Sequence, residues 1–176
     1  MQIEFSRVWA MPNSETFSVK PIGNFVKKYI EDSVISIDPF ARNSKLATYT
    51  NDLNPNTEAL YHLDAVEFCQ KMKDENIRPD LIIFDPPYSP RAISECYQSI
   101  GKKATQKDTQ NSLLYKNVRD ILDDILAPNG TVLSFGWNSS GMGTKREYEI
   151  VEILLVCHGS AHNDTICIAE RKIKNG

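Results

Sequence analysis

Short, nearly unbroken apolar runs alternate with stretches of helical period along this chain. VISIDPF (34–40) is β-branched and ends in Asp-Pro, which predicts a buried strand. TYTNDL (48–53) and LYHLDA (60–65) predict two more, ending at Asp52 and Asp64. In AVEFCQKMKDENI (65–77), Val66, Phe68, Cys69 and Met72 recur at helical spacing with charges opposite, which predicts an amphipathic helix. DLIIFD (80–85) is the clearest strand. SLLYKNVRDILDDIL (112–126) predicts a second helix, with Leu114, Val118, Ile121, Leu122 and Ile125 on one face. Pro128-Asn129-Gly130 stops it. TVLSFGW (131–137) predicts another strand. EIVEILLVCHG (149–159) and DTICIAERKI (164–173) close the chain as two strands of a hairpin around GSAHND.

Strands alternating with helices imply right-handed βαβ units. The expected fold is α/β, with a mostly parallel sheet and an antiparallel C-terminal hairpin strand. Ligands of such sheets bind beyond the carboxyl ends of the strands. Asp38, Asp52, Asp64 and Asp85 close four successive strands, so all four are expected at one crevice. Asp at a strand end also forms turns and caps helices. Four in succession favour a ligand site.

Composition narrows the picture. The chain has 176 residues, 41% of them hydrophobic, which suits a single domain over 1–176 with one real core. A net charge of −3 excludes a strongly basic nucleic-acid coat, so any basic surface must be local. Cys69, Cys96, Cys157 and Cys167 are scattered singly, and no segment is long and apolar enough for a membrane span. Free thiols, a cytoplasmic location and no membrane association are expected. Cys157, His158, His162 and Cys167 cluster, but their spacing matches no common zinc pattern, and no metal is expected. No P-loop is present, and no GxGxxG follows a strand. No cysteine follows a proline, which disfavours cytosine C5 methylation through a thiolate.

The most unusual local sequence is Asp85-Pro86-Pro87-Tyr88, directly after the clearest strand. One reading is a stiff Pro-Pro turn with an acidic cap. The other is chemical. The nitrogen of an exocyclic nucleobase amine is a poor nucleophile because its lone pair is delocalised into the ring. Two acceptors on its two N–H bonds hold it and favour a pyramidal, more nucleophilic nitrogen. The Asp85 carboxylate supplies one acceptor and the Pro86 carbonyl the other. Tyr88 stacks on a base that has left its duplex.

IIFDPPY resembles the catalytic motif of the amino-group DNA methyltransferases, which methylate adenine N6 with S-adenosylmethionine. DPFARNS (38–44) is similar to that family's methionine-binding motif. Asp52 matches its acid for the ribose hydroxyls, Asp64 its acid for the cofactor's adenine amine, and FSVKP (17–21) its N-terminal cofactor segment. The resemblance implies a Rossmann-like methyltransferase sheet, S-adenosylmethionine as cofactor and adenine-containing DNA as partner. It implies catalytic roles for Asp85, Pro86, Pro87 and Tyr88. It implies cofactor binding by Lys20, Pro21, Asp38, Pro39, Phe40, Asn43, Ser44, Asp52, Leu53, Asp64 and Ala65.

Two departures stand out. The family's glycines after DPF are replaced by Ala41-Arg42-Asn43-Ser44, and the first crossover, from Asp38 to Asp52, is shorter than a strand-helix-strand unit needs. Either a side chain such as Asn43 or Ser44 is expected to meet the cofactor carboxylate, or the pocket is weak. The chain also has no room for a large target-recognition domain. Residues 89–110, with Arg91, Lys102, Lys103 and Lys107, are expected to form a flexible substrate loop that contacts phosphates. Trp137 is a candidate for the base pocket. A homodimer, one subunit methylating while the other grips the duplex, is a further expectation. RNA guanine-N2 and DNA cytosine-N4 methylation are the nearest alternatives. A non-catalytic nucleic-acid-binding subunit with a degenerate cofactor pocket is the alternative of another class.

Overall fold

The computed structural model describes residues 2–87, 89–104 and 111–173. Seven strands form one sheet: β1 (Glu4–Trp9), β2 (Ser36–Asp38), β3 (Tyr49–Thr50), β4 (Leu81–Phe84), β5 (Thr131–Gly136), β6 (Tyr148–Cys157) and β7 (Thr165–Lys172). Their spatial order is β1-β6-β7-β5-β4-β2-β3. Neighbours run parallel except where β7 meets β5 and β6, so β7 alone is reversed. This is the mostly parallel sheet with an antiparallel hairpin strand that the pattern predicts.

The helices are α1 (Lys20–Ile30), α2 (Ala65–Asp74), α3 (Pro90–Ser99) and α4 (Asn111–Ile125). β4 is buried along its whole length, as its unbroken LIIF run requires. On one sheet face, Phe68, Met72, Val118 and Leu122 of α2 and α4 pack against Ile37, Ile82, Phe84 and Val132. On the other, Ile22, Phe25 and Val26 of α1 pack against Leu81, Ile83, Leu133 and Leu154. Each such fully buried side chain contributes about 2 kcal/mol. Gly23 lets α1 lie close to the turn before it: a Cβ there would lie 2.5 Å from the Phe17 carbonyl oxygen.

Several expected elements change on folding. β2 and β3 are shorter than the apolar runs 34–40 and 48–53 suggest. The run 60–65 is not a strand; it makes one isolated parallel bridge, Asn51 to Tyr61. Pro55 and the asparagine turns before it leave too little extended chain to pair. The short first crossover holds, since β2 passes to β3 with no helix between them. Residues 90–99 are not a flexible loop but α3. Ser89 caps this helix by accepting from the Ala92 N–H at 3.1 Å, and Pro90 stands in its first turn. Residues 105–110, with Lys107, lie outside the described set. The sequence reading names neither β1, a half-exposed edge strand, nor α1, although Ile22, Phe25 and Val26 of α1 recur at helical spacing and are buried. The four cysteines are free. Among the described residues, no helix is long and apolar enough to cross a membrane.

Candidate active site

A cleft of about 500 Å³ opens beyond the carboxyl ends of β2, β3 and β4. Asp52, Asp64 and Asp85 line it, with Pro39, Phe40, Asn43, Leu53, Ala65, Pro86 and Pro87. Three of the four acids therefore meet in one cleft, although Asp64 ends no strand and instead caps α2. Asp38 is the exception: it lies beneath the cleft, with 0% exposure.

Asp38 is the most unusual of these acids. Its Oδ1 accepts from the Phe40 N–H at 3.0 Å, while its buried Oδ2 has no partner. Burial pushes its carboxyl well above the usual range; the Phe40 N–H opposes this, and the nearby charges of Asp85 and Asp52 add to it. An acid whose pKa is raised on folding destabilises the fold as pH climbs from its unfolded value through its folded one. Asp38→Asn removes that titration while keeping the acceptor for Phe40. Thermal unfolding across pH should show wild-type stability falling relative to the variant as pH rises above about 4. Parallel pH profiles would contradict the assignment.

Asp52 is held by two backbone donors. Its Oδ2 accepts from the Arg42 N–H at 3.0 Å and its Oδ1 from the Asn54 N–H at 2.8 Å. Each oxygen retains a lone pair for a ligand. The turn that lacks the expected glycines still takes the glycine-like shape. Arg42 sits at φ 52°, in the left-handed region, at a cost of about 1 kcal/mol. Offsetting contacts tie the turn to the N-terminal segment: the Arg42 guanidinium donates to the Ser14 carbonyl, and Asn43 Nδ2 donates to Glu15 Oε1 at 3.2 Å. Asp64 both lines the cleft and caps α2, accepting from the Val66 N–H at 2.9 Å.

The Asp85-Pro86-Pro87 turn rests on an aromatic group. Tyr115 of α4 donates its hydroxyl to the Pro87 carbonyl at 2.7 Å. Its ring meets Phe40 and Phe84 edge-on, at centroid distances of 5.9 and 6.2 Å, and those two rings lie 5.8 Å apart. Burial pushes the Tyr115 phenol up, so it remains a donor. Pro86 is buried and Asp85 half-buried at the cleft wall. Tyr88 lies outside the described residues.

Two groups of residues had no role in the sequence reading. Asn51 is 1% exposed; its Nδ2 donates to the Pro39 carbonyl at 3.1 Å and the Leu63 carbonyl at 3.0 Å. Its Oδ1 accepts from the Leu63 N–H at 3.0 Å. It thus ties together the loops that carry Phe40, Asp52 and Asp64. The sequence signal was available: an amide beside Asp52, at the end of a buried strand, must find partners. The second group is Ala92, Ile93, Cys96 and Tyr97 of α3, which form the wall facing Asp52 and Asn54.

Other sequence candidates lie apart from the cleft lining. Lys20 and Pro21 open α1, and Ser44 follows the Arg42 turn. Arg91 pairs with Glu95 at 2.8 Å on the outer side of α3, and Lys102 and Lys103 are exposed just past that helix. Trp137 is 53% exposed just past the end of β5 and does not line the cleft. His158 is engaged by the Ala10 carbonyl at 2.7 Å and Thr165 Oγ1 at 2.9 Å. Among the described residues, no three or more Cys, His, Asp or Glu side chains group as a metal site.

No family model and no curated protein matches the chain. Solved structures do. SMU.776, named as a methyltransferase and solved with SAH, is 13% identical with a TM-score of 0.57, over 84% of this chain and 48% of its own. TrmN from Thermus thermophilus is 13% identical with a TM-score of 0.55, over 86% of this chain and 48% of its own. The N-methyltransferase NodS from Bradyrhizobium japonicum WM9, solved with S-adenosyl-L-homocysteine, is 12% identical with a TM-score of 0.52, over 92% of this chain and 94% of its own. The chain spans about half the length of SMU.776 and TrmN. At such identities the likeness is one of fold: the chain has the Rossmann-like α/β fold of these methyltransferases.

Proposed function

We propose that the chain is an S-adenosylmethionine-dependent methyltransferase that acts on an exocyclic nucleobase amine, the N6 of adenine in DNA. The observation that carries this reading is the meeting of Asp85-Pro86-Pro87 with Asp52 and Asp64 in one cleft at the strand ends. The cleft fits the cofactor's chemistry. Its wall is rich in anionic acceptors, which suit ribose hydroxyls, an adenine amine and a sulfonium cation. That structures with this fold are solved with S-adenosyl-L-homocysteine supports the same cofactor here.

S-adenosylmethionine, when bound, supplies a methyl group activated by the positive sulfur. Asp52 accepts from the ribose hydroxyls and Asp64 from the cofactor's adenine amine. Asp85 and the Pro86 carbonyl accept from the target amine and aim its lone pair. The Pro-Pro turn propped by Tyr115 restricts their motion, so catalysis rests on positioning and electrostatics. In this reading Lys102 and Lys103, exposed beyond α3, contact phosphates.

Incubation with labelled cofactor and separate DNA and RNA substrates, followed by nucleoside analysis, tests the reading. N6-methyladenine in DNA is expected. N2-methylguanine from RNA, or N4-methylcytosine from DNA, would keep the chemistry and replace the substrate. Failure to bind S-adenosylmethionine by calorimetry, with or without nucleic acid, would remove the proposal. Asp52→Asn should weaken cofactor binding roughly tenfold or more, since it replaces a charged acceptor by a neutral one. An unchanged affinity would take Asp52 out of the ribose role.

A further inference from the structure

Among the described residues, β1 is an edge of the sheet and is bonded to β6 on one side only. The Ala10 N–H donates to the Cys157 carbonyl at 3.1 Å. Backbone direction alternates along a strand, so Glu4, Ser6 and Val8 also turn their backbone groups toward β6. Those of Phe5, Arg7 and Trp9 turn outward. The same odd positions carry large exposed side chains: Phe5 is 63% and Trp9 65% exposed, with Ile3 at 46% just before them. Val8 packs into the α1 core, so these side chains stand on the opposite sheet face. On that face, the α2 and α4 core spans β2, β4 and β5 and includes nothing from β1. An open edge with exposed apolar side chains is a template for pairing with another strand.

We propose that β1 pairs antiparallel with β1 of a second copy of this chain, about a two-fold axis through Ser6. The side-chain pattern favours this occupant and this register. A two-fold axis normal to the sheet keeps the faces aligned, so odd positions meet odd positions. With Ser6 on the axis, Phe5 lies opposite the partner's Arg7, and Ile3 opposite the partner's Trp9. The first pair sets a guanidinium against a phenyl ring and the second is apolar on aromatic, both favourable cross-strand pairs. Moving the axis to Arg7 would set two guanidinium groups against each other. Moving it to Phe5 would set Arg7 opposite the partner's Ile3 and lose the guanidinium–phenyl pair.

The pairing also has a functional consequence. It reverses one copy relative to the other, so the two clefts open at opposite ends of the joined sheet. Each cleft keeps its own walls. The second copy then does not grip the duplex held by the first, contrary to the arrangement expected from the sequence.

Sedimentation equilibrium of the full chain from about 1 to 100 µM should show twice the chain's mass at the upper end. Arg7→Pro deletes an outward N–H that β6 does not use, a change an open edge tolerates. It should leave a monomer at every concentration with an unchanged melting temperature. A wild-type monomer throughout, or a dimer that survives Arg7→Pro, would overturn the proposal. If Arg7→Pro lowers the melting temperature, the exposed pair Phe5→Ser and Trp9→Ser decides. A dissociation constant raised about tenfold or more supports the interface. An unchanged constant overturns it.

Discussion

Asp85→Ala should lower methyl transfer by about a thousandfold while leaving affinity for S-adenosylmethionine within a factor of a few. The size follows from what the carboxylate does. In the proposed role it is an acceptor directly after the buried strand β4, at the wall of the cleft. Removing one preorganised hydrogen-bonding group from an active site costs about a hundredfold to a thousandfold. Here the lost group is also charged, which sets the expectation at the upper end. Asp85→Asn keeps one neutral acceptor and should fall between the two. Single-turnover rates at saturating cofactor, with calorimetric affinity measured in parallel, separate chemistry from binding. Near-wild-type transfer by Asp85→Ala would refute the catalytic assignment. A rate loss explained wholly by weaker cofactor binding would move Asp85 to the cofactor pocket.

Asn51→Ala should destabilise the fold by about 3 kcal/mol. It deletes three hydrogen bonds worth about 1 kcal/mol each and leaves the Pro39 and Leu63 carbonyls and the Leu63 N–H without that partner. For a chain of this size the melting temperature should drop by roughly 6 to 12 °C. The loss should extend to the cofactor. Without Asn51, the loops of Phe40, Asp52 and Asp64 lose their common tie, and affinity for S-adenosylmethionine should fall even though Asn51 itself need not touch the ligand. Thermal denaturation and calorimetry on one preparation test both halves. A shift of under 2 °C would show that the loops are held by other contacts.

Elements whose neighbours are close in sequence were legible. LIIF reads as a buried strand because every residue is apolar, and β4 is buried at every position. The α2 face was read from Val66, Phe68, Cys69 and Met72; the last three are fully buried and Val66 half-buried. Asp64 was expected at the cleft, and it also caps α2. Errors came where polar residues hide a regular element or apolar ones leave it. In α3, Ile93, Cys96 and Tyr97 stand among Ser, Glu and Gln, and the lysines that follow made the whole stretch look like a solvated loop. LYHLDA alternates like a strand, but the turns before it leave only the bridge to Asn51. The absent glycines in DPFARNS suggested a changed turn; instead Arg42 takes the left-handed conformation, and contacts to Ser14 and Glu15 help hold the loop.

Local pattern was enough for the α/β alternation, the reversed final strand and the acids Asp38, which ends β2, and Asp85, which follows β4. These follow from backbone periodicity and from residues next to one another in the chain. Only the tertiary structure decided that Asp38 is sealed beneath the cleft while Asp52, Asp64 and Asp85 face it. It also decided that Asn51 joins three loops, that α3 is a wall, and that β1 leaves an apolar edge open. Each of these depends on distances between residues far apart in the chain. Packing of the helices against the sheet sets those distances, and hydrophobic pattern along a single chain carries no record of them.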